Sequence, residues 1–344
     1  RSRPGGGGKH FLGAGEGNLK ILKIVAWIVL ILVVTIAAGA NYLRFGLPRV
    51  AAAPDITIEV TPDGLARGRY LVEHVMGCMS CHSPARHGDR YSLPPIIERK
   101  GAGGLFFTPE NRFPGTLYAK NITPHNLGSW SDGEIVRALT VGVDREGEPI
   151  FPLMPSRFYA QLDRRDIYAV VAYLRTLKPV VNVVQKSQID FPLNLIIRTE
   201  IEERDFGQRP EPSDNLAYGR YMTTAAGCID CHTNIVDGQA LGERFAGGRE
   251  FYTPPVGLIR SANITPDKQT GIGDWNREAF IERFKSMTPE AVMEMKVEPG
   301  EANTLMPWWE FSGMTRQDLG AIYDYLMTQK SVRAEIVTFE PIKK

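Results

Sequence analysis

Four cysteines and the two histidines that follow them carry the chemistry legible in this 344-residue chain. They stand as Cys78-Met79-Ser80-Cys81-His82 and Cys228-Ile229-Asp230-Cys231-His232, two copies of Cys-x-x-Cys-His with no cysteine left over. Thiols at that spacing can add across the two vinyl groups of one porphyrin, and the adjoining imidazole then ligates its iron. The motifs imply two covalently attached haem c groups, one on Cys78 and Cys81 with His82 on iron, the other on Cys228 and Cys231 with His232. Two rival chemistries fit less well. A zinc site would have to pool cysteines 150 positions apart. A redox dithiol has no use for the histidine.

The motifs sit inside a longer repeat. Ala66-Arg67-Gly68-Arg69-Tyr70 precedes the first and Ala217-Tyr218-Gly219-Arg220-Tyr221 the second. Downstream come Asn121-Ile122-Thr123-Pro124 and Asn263-Ile264-Thr265-Pro266, then Trp130 and Trp275, then Leu153-Met154-Pro155 and Leu305-Met306-Pro307. Met154 is the only methionine between the first motif and residue 181, apart from Met79 within the motif itself, and Met76 and Met79 are too near the attachment point to reach the far face of the ring. In the second half only Met306 shares the register. The His-to-Met separations, 72 and 74 residues, agree. Met154 and Met306 are therefore the expected sixth ligands, against the bland alternative that each fills core space. Among competing histidines, His10 lies before the apolar run, His74 lies on the helix leading to Cys78, and His87 and His125 read as loop residues.

Helices must position these groups. Segments 66–77 and 217–227 read as helices delivering the cysteines, the second weakened by Thr223, Thr224 and Gly227. Segments 131–141 and 276–286 read as amphipathic helices, with Ser131 as a cap. In 163–177 Ile167, Val170, Val171 and Leu174 recur at helical spacing, as do Leu319, Ile322, Tyr323 and Leu326 in 315–329; Asp163 and Thr315 sit at cap positions. Residues 55–60 and 332–338 alternate and read as short strands. Trp308 and Trp309 either border an exposed haem edge or pack in the core, and Trp130 and Trp275 are candidates to meet haem propionates.

Residues 24–40 are apolar without a charge, and extension to Leu43 gives 20 residues, enough to cross a bilayer as a helix. Arg1, Arg3, Lys9, Lys20 and Lys23 precede it against one acid, Glu16, which places that end in the cytoplasm and the haem-bearing bulk outside it. The competing reading is a cleaved signal peptide with Ala51-Ala52-Ala53 as cleavage zone; the length of the run favours a retained span. The first residue is Arg1, not Met, which leads us to expect further leading residues. With 40 basic and 39 acidic side chains, net charge +1, the chain lacks the basic field of a nucleic-acid binder. An apolar fraction of 43% and a charged fraction of 23% are those of folded protein. The expected organisation is a Gly-rich cytoplasmic tail (1–18), a transmembrane helix (19–43), a linker (44–63), a first haem domain (64–180), a linker (181–215), a second haem domain (216–330) and an extension (331–344).

The order Cys-x-x-Cys-His, Asn-Ile-Thr-Pro, Trp, Met-Pro and a final Tyr-Leu resembles that of membrane-bound multihaem c-type cytochromes, including the cytochrome subunits of bacterial alcohol and gluconate dehydrogenases. The likeness covers roughly residues 64–330. It implies a mainly α protein with two tandem class I cytochrome c domains, and His/Met ligation by His82 with Met154 and His232 with Met306. This chain departs in having two haem motifs where such subunits usually carry three, and an amino-terminal rather than a carboxyl-terminal anchor. The expected function is relay of single electrons at a bacterial inner membrane, without catalysis. Partners would be the lipid bilayer, a dehydrogenase, quinol-oxidising or photosynthetic complex, and a small soluble electron carrier; no nucleic acid is expected. The alternative is a dihaem enzyme of peroxidase or thiosulfate-oxidising type. The first needs a releasable ligand and the second a fifth cysteine; the chain has only four.

Overall fold

The computed structural model of the chain describes residues 14–86, 92–236, 239–298, 301 and 304–342. His10 and His87, weighed above as ligands, lie outside the described residues, as does most of the tail 1–18. The protein is mainly helical. Its first helix, Ala14–Phe45, is longer than the apolar run that nucleates it. The portion Leu19–Phe45 is 27 residues, about 40 Å at 1.5 Å per residue, and none of it is buried by the rest of the protein. By length and composition it can cross a hydrocarbon core of about 30 Å.

Beyond it, one succession of helices occurs twice. Pro62–Tyr70 is capped by Thr61, whose hydroxyl accepts from Gly64 N at 3.1 Å. It passes into a five-residue π-turn, Leu71–Val75, so the expected 66–77 helix is an α segment ending in a wide turn. Asp132–Thr140 begins with a reciprocal capping box: Glu134 N donates to Ser131 Oγ (3.1 Å) and Ser131 N to the Glu134 carboxylate (2.8 Å). Arg164–Thr176 starts at Asp163, whose Oδ1 accepts from Arg165 N at 2.8 Å. The counterparts are Asn215–Ala225, Arg277–Lys285 and Arg316–Leu326, the last capped by Thr315. In Asn215–Ala225 the threonines that weaken the propensity turn their hydroxyls back onto the helix, Thr223 to Gly219 O (2.7 Å) and Thr224 to Arg220 O (2.9 Å).

Glycine sets how closely the first and last helices of each half cross. A Cβ on Gly68 would lie 1.9 Å from the Ala169 carbonyl oxygen, and one on Gly219 would lie 2.0 Å from that of Ala321. The backbones therefore touch, and Leu71, Val72, Ile167, Val170 and Val171 close the core on one side of the molecule. Met222, Leu319, Ile322 and Leu326 do so on the other, within the same continuous cluster.

The two halves clasp each other reciprocally. Tyr221 donates to Asp166 Oδ2 (2.7 Å) and accepts from Asp163 N (3.1 Å). Its repeat partner Tyr70 donates to Asp318 and accepts from Thr315 N (3.0 Å). Each half's first helix thus satisfies the start of the other half's last helix, the self-complementary pattern of a two-fold contact. Each phenol bonded to a buried carboxylate is a charge-assisted contact worth about 1.5–3 kcal/mol.

The two expected strands are not strands. Residues 55–60 and 332–338 carry no strand, and several of their polar backbone groups go to side chains. Ile58 N donates to Asp132 Oδ2 (2.9 Å), Val332 O accepts from Asn263 Nδ2 (2.7 Å), and Ala334 N donates to Thr270 Oγ1 (3.0 Å). Alternation reported a half-buried segment, while a ladder also needs a neighbouring strand, which Thr338 alone of these residues meets, its carbonyl accepting from Arg260 N (2.8 Å). The pairing comes later: Phe339–Pro341 runs antiparallel to Gly257–Arg260, which also pairs with Glu250–Thr253. A second small sheet joins Phe106–Phe107, Gly115–Tyr118 and Gln188–Ile189, so residues from 181–215 are packed onto the first half.

Candidate haem-attachment sites

Each Cys-x-x-Cys-His motif is a single helical turn, Cys78–Cys81 or Cys228–Cys231, with the histidine as its carboxyl-terminal cap. The turn is launched by a glycine with positive φ, Gly77 at 68° and Gly227 at 65°, a conformation that costs glycine little. One turn carries residues i and i+3 to the same face, so both thiols of a pair point the same way. Cys81 and Cys231 keep accessible surface, while Cys78 is buried and Cys228 half-buried. Burial first of all raises all four thiols: Cys78 far above the usual range, Cys81 and Cys228 to about 12, Cys231 to about 11. Raised thiols of this kind lack the lowered pKa of a catalytic nucleophile. Among the described residues no three His, Cys, Asp or Glu side chains gather as a metal-ligand cluster.

The histidines are held identically. His82 Nδ1 lies 2.7 Å from Lys120 O, and His232 Nδ1 lies 2.7 Å from Ala262 O. A carbonyl accepts only, so Nδ1 bears the proton and Nε2 is left as a free lone pair. Burial lowers both imidazole pKa values, which keeps the rings neutral. This donor set fits haem c: two thiols on one turn, and a neutral imidazole beside them with its far nitrogen available.

The recurring Asn-Ile-Thr-Pro acquires its meaning here. Lys120 and Ala262 are the residues just before Asn121 and Asn263. Asn121 Oδ1 accepts from Thr123 N (2.9 Å) and Oγ1 (2.7 Å), while its Nδ2 donates to Val180 O (2.9 Å). Asn263 repeats this with Thr265 N (2.9 Å) and Oγ1 (2.8 Å), and with Val332 O. The asparagine thus locks the loop whose carbonyl orients the imidazole. A second support is glycine: Gly103 N donates to His82 O and Gly247 N to His232 O, both at 2.8 Å. A Cβ on Gly103 would meet Asn121 N at 2.5 Å, and one on Gly247 would meet Ala262 C at 2.5 Å. Sequence reasoning missed these glycines, although Ala102-Gly103-Gly104 and Ala246-Gly247-Gly248 are a further repeat.

Met154 and Met306 occupy equivalent, half-buried turns against the core, each leading into a short helix, Ser156–Tyr159 or Trp308–Phe311. Ser156 N donates to Met154 O and Trp308 N to Met306 O, both at 2.8 Å. Trp309 is buried in the core, and Trp308 is half-buried under Arg283, 4.8 Å from its ring. Trp275 stacks edge-on to Phe280, and His125 is exposed on a short helical turn. His74 faces the other half, its Nδ1 3.3 Å from Glu310 O.

The structure also brings each motif against the turn after the other half's methionine. Ser80 bonds Glu310, four residues after Met306, and Asp230 bonds Arg157, three residues after Met154, at 2.6 Å.

Comparison with known proteins agrees with this geometry. Residues 65–178 match the family described as Cytochrome c. The chain contains a cytochrome c domain. It is homologous to the cytochrome c subunit of the quinone-dependent alcohol dehydrogenase of Gluconacetobacter polyoxogenes, 28% identical over 311 residues, covering 85% of this chain and 60% of that subunit. It is likewise 28% identical over 236 residues to the fructose dehydrogenase cytochrome subunit of Gluconobacter japonicus, covering 64% of this chain and 44% of that subunit. A dihaem c-type cytochrome of Cereibacter sphaeroides is 28% identical over 279 residues, covering 75% of this chain and 85% of the relative. The chain thus spans about 60% of the length of the alcohol dehydrogenase subunit.

Proposed function

We propose that the chain is a membrane-anchored dihaem cytochrome c that passes single electrons from a dehydrogenase or quinol-oxidising module to a downstream acceptor. The observation that carries this reading is the twice-built cradle: a Cys-x-x-Cys turn whose following imidazole is pinned through Nδ1 to a backbone carbonyl. Haem supplies reversible one-electron chemistry when bound. Everything else is the work of the chain. Cys78, Cys81, Cys228 and Cys231 would hold the porphyrins, His82 and His232 would present Nε2 to iron, and Met154 and Met306 would supply sulfur ligands. A sulfur ligand raises the reduction potential and fills the position a substrate would need. Asn121 and Asn263 hold the orienting carbonyls, and the reciprocal Tyr70 and Tyr221 contacts hold the two haem domains as one body.

Support for a short internal path comes from the packing of each attachment turn against the other half, Ser80 on Glu310 and Asp230 on Arg157. The two domains are assigned to 64–180 and 216–330, with the amino-terminal helix as anchor, its basic flank in the cytoplasm and the haems on the outer side of a bacterial inner membrane. Two of the three relatives named above are cytochrome subunits of dehydrogenases, which favours a dehydrogenase as partner. The test is a spectroelectrochemical titration of the full chain in detergent, with and without carbon monoxide. Two reversible one-electron couples and no carbon monoxide adduct at neutral pH are expected. An adduct at one reduced haem would replace this reading with catalysis at iron.

A further inference from the structure

Glu310 breaks the repeat in a way that the relay alone does not require. Its counterpart four residues after Met154 is Phe158. The side chain of Glu310 is fully buried, 0% exposed, where the two halves meet. One oxygen, Oε2, accepts from Ser80 N (3.2 Å) and from the Ser80 hydroxyl, inside the first haem-attachment turn. The other, Oε1, is buried with no partner. No described cation bonds this carboxylate: Lys100, whose charge reaches it, is bound to Glu73. The remaining ionisable groups facing it are Glu73 and His74 of the π-turn, Cys78 and Cys81 of the attachment turn, and Tyr159, beyond which lies Asp230.

The mirror-related acid behaves oppositely. Asp230 takes the place of Ser80 in the second motif and is neutralised by Arg157 (2.6 Å) and Arg249 (3.1 Å). One attachment turn therefore faces a compensated acid and the other an uncompensated one. A buried carboxyl without a counter-charge favours its neutral form. Here burial outweighs the two Ser80 hydrogen bonds and pushes the pKa up to about 8.

We propose that Glu310 is a redox-linked proton-binding site for the haem held by Cys78 and Cys81. This inference rests on the relay reading above. At pH values between the carboxyl's oxidised- and reduced-state pKa values, when a one-electron donor of the dehydrogenase class delivers an electron to that haem, one proton from water enters the ionised Glu310 carboxylate, so the buried region gains one electron and one proton. When the acceptor removes the electron, the proton returns to water. The half-buried Ser80 hydroxyl, bonded to Oε2, is the route to solvent. The other haem, beside the arginine-paired Asp230, moves its electron without that proton.

The experiment is a potentiometric titration of full-length holoprotein in detergent from pH 6 to about pH 9.5, for the wild type and Glu310→Gln. In the wild type one of the two midpoint potentials should fall tenfold in equilibrium constant per pH unit, about 59 mV, between the oxidised- and reduced-state pKa values of the carboxyl. The other should stay flat. Glu310→Gln should abolish the slope and leave the sensitive potential at its low-pH, higher value. A slope that survives in Glu310→Gln, or two flat potentials in the wild type, overturns the proposal. Infrared difference spectra of the wild type near pH 8.5 give a readout that needs no variant: reduction should create a carboxylic-acid carbonyl band, and its absence overturns the proposal. Reversible but pH-independent couples would refute only Glu310, whereas the absence of two reversible couples would refute the relay itself.

Discussion

The two attachment turns share backbone, glycine launch and histidine anchor, yet their middle residues meet different worlds. Ser80 reaches into a sealed contact with Glu310, whereas Asp230 forms an ion pair with the half-exposed Arg157. The motif fixes how porphyrin is held, and the neighbour contributed by the other half fixes the electrostatics around it. The repeat therefore presents two turns of one design with unequal surroundings, which suits the two-step electron path proposed above.

The bluntest way to break the comparison is to remove one cradle. Cys78→Ala combined with Cys81→Ala should delete one covalent haem and leave the other, because each turn serves its own porphyrin; mass analysis that loses both would show the halves to be interdependent. Next, Met154→Ala and Met306→Ala should each leave both haems attached and lower one midpoint potential. If neither titration moves, the sulfur assignments fail.

A subtler contrast lies in the clasp. Tyr221→Phe removes one donor from Asp166, which keeps Arg67 (2.7 Å) and Arg209 (2.7 Å). Tyr70→Phe removes a donor from Asp318, which has no arginine bonded to it among the described residues. We expect about 1 kcal/mol for the first and up to about 3 kcal/mol for the second in chemical denaturation; equal losses would mean that the carboxylates are equally supported. The smallest effect concerns the caps. The hydrogen bond from Arg165 first, against opposition from burial, holds Asp163 well below the usual carboxylate range. A depressed acid stabilises the fold above its unfolded pKa of about 3.9 and loses that contribution as pH falls through the folded value. Acid unfolding should therefore soften in Asp163→Asn, while Thr315→Ser, at the uncharged counterpart, should leave the acid limb unchanged.

Much of this was legible in residue order. The attachment motifs, the Ser131, Asp163 and Thr315 caps and the apolar first helix all rest on local spacing, and local spacing is what a sequence displays. The role of Asn-Ile-Thr-Pro was visible only as recurrence. Its meaning needed the distance from Lys120 O to His82, which no periodicity encodes. The strands misread at 55–60 and 332–338 show the same limit, because alternation reveals two faces and not a partner. Glu310 was hidden most completely. A single acid in Trp-Trp-Glu-Phe reads as surface until tertiary packing places it, sealed, against the other half.

The central claim is that one chain holds two porphyrins, each by a pair of thioether links, between an imidazole and a thioether sulfur. The direct measurement is the mass of the intact membrane-extracted protein combined with its reduced absorption spectrum. The account predicts the polypeptide plus two covalently bound haems, both low-spin and six-coordinate. A polypeptide without covalent porphyrin, or high-spin iron lacking a sulfur ligand in both halves, would contradict it.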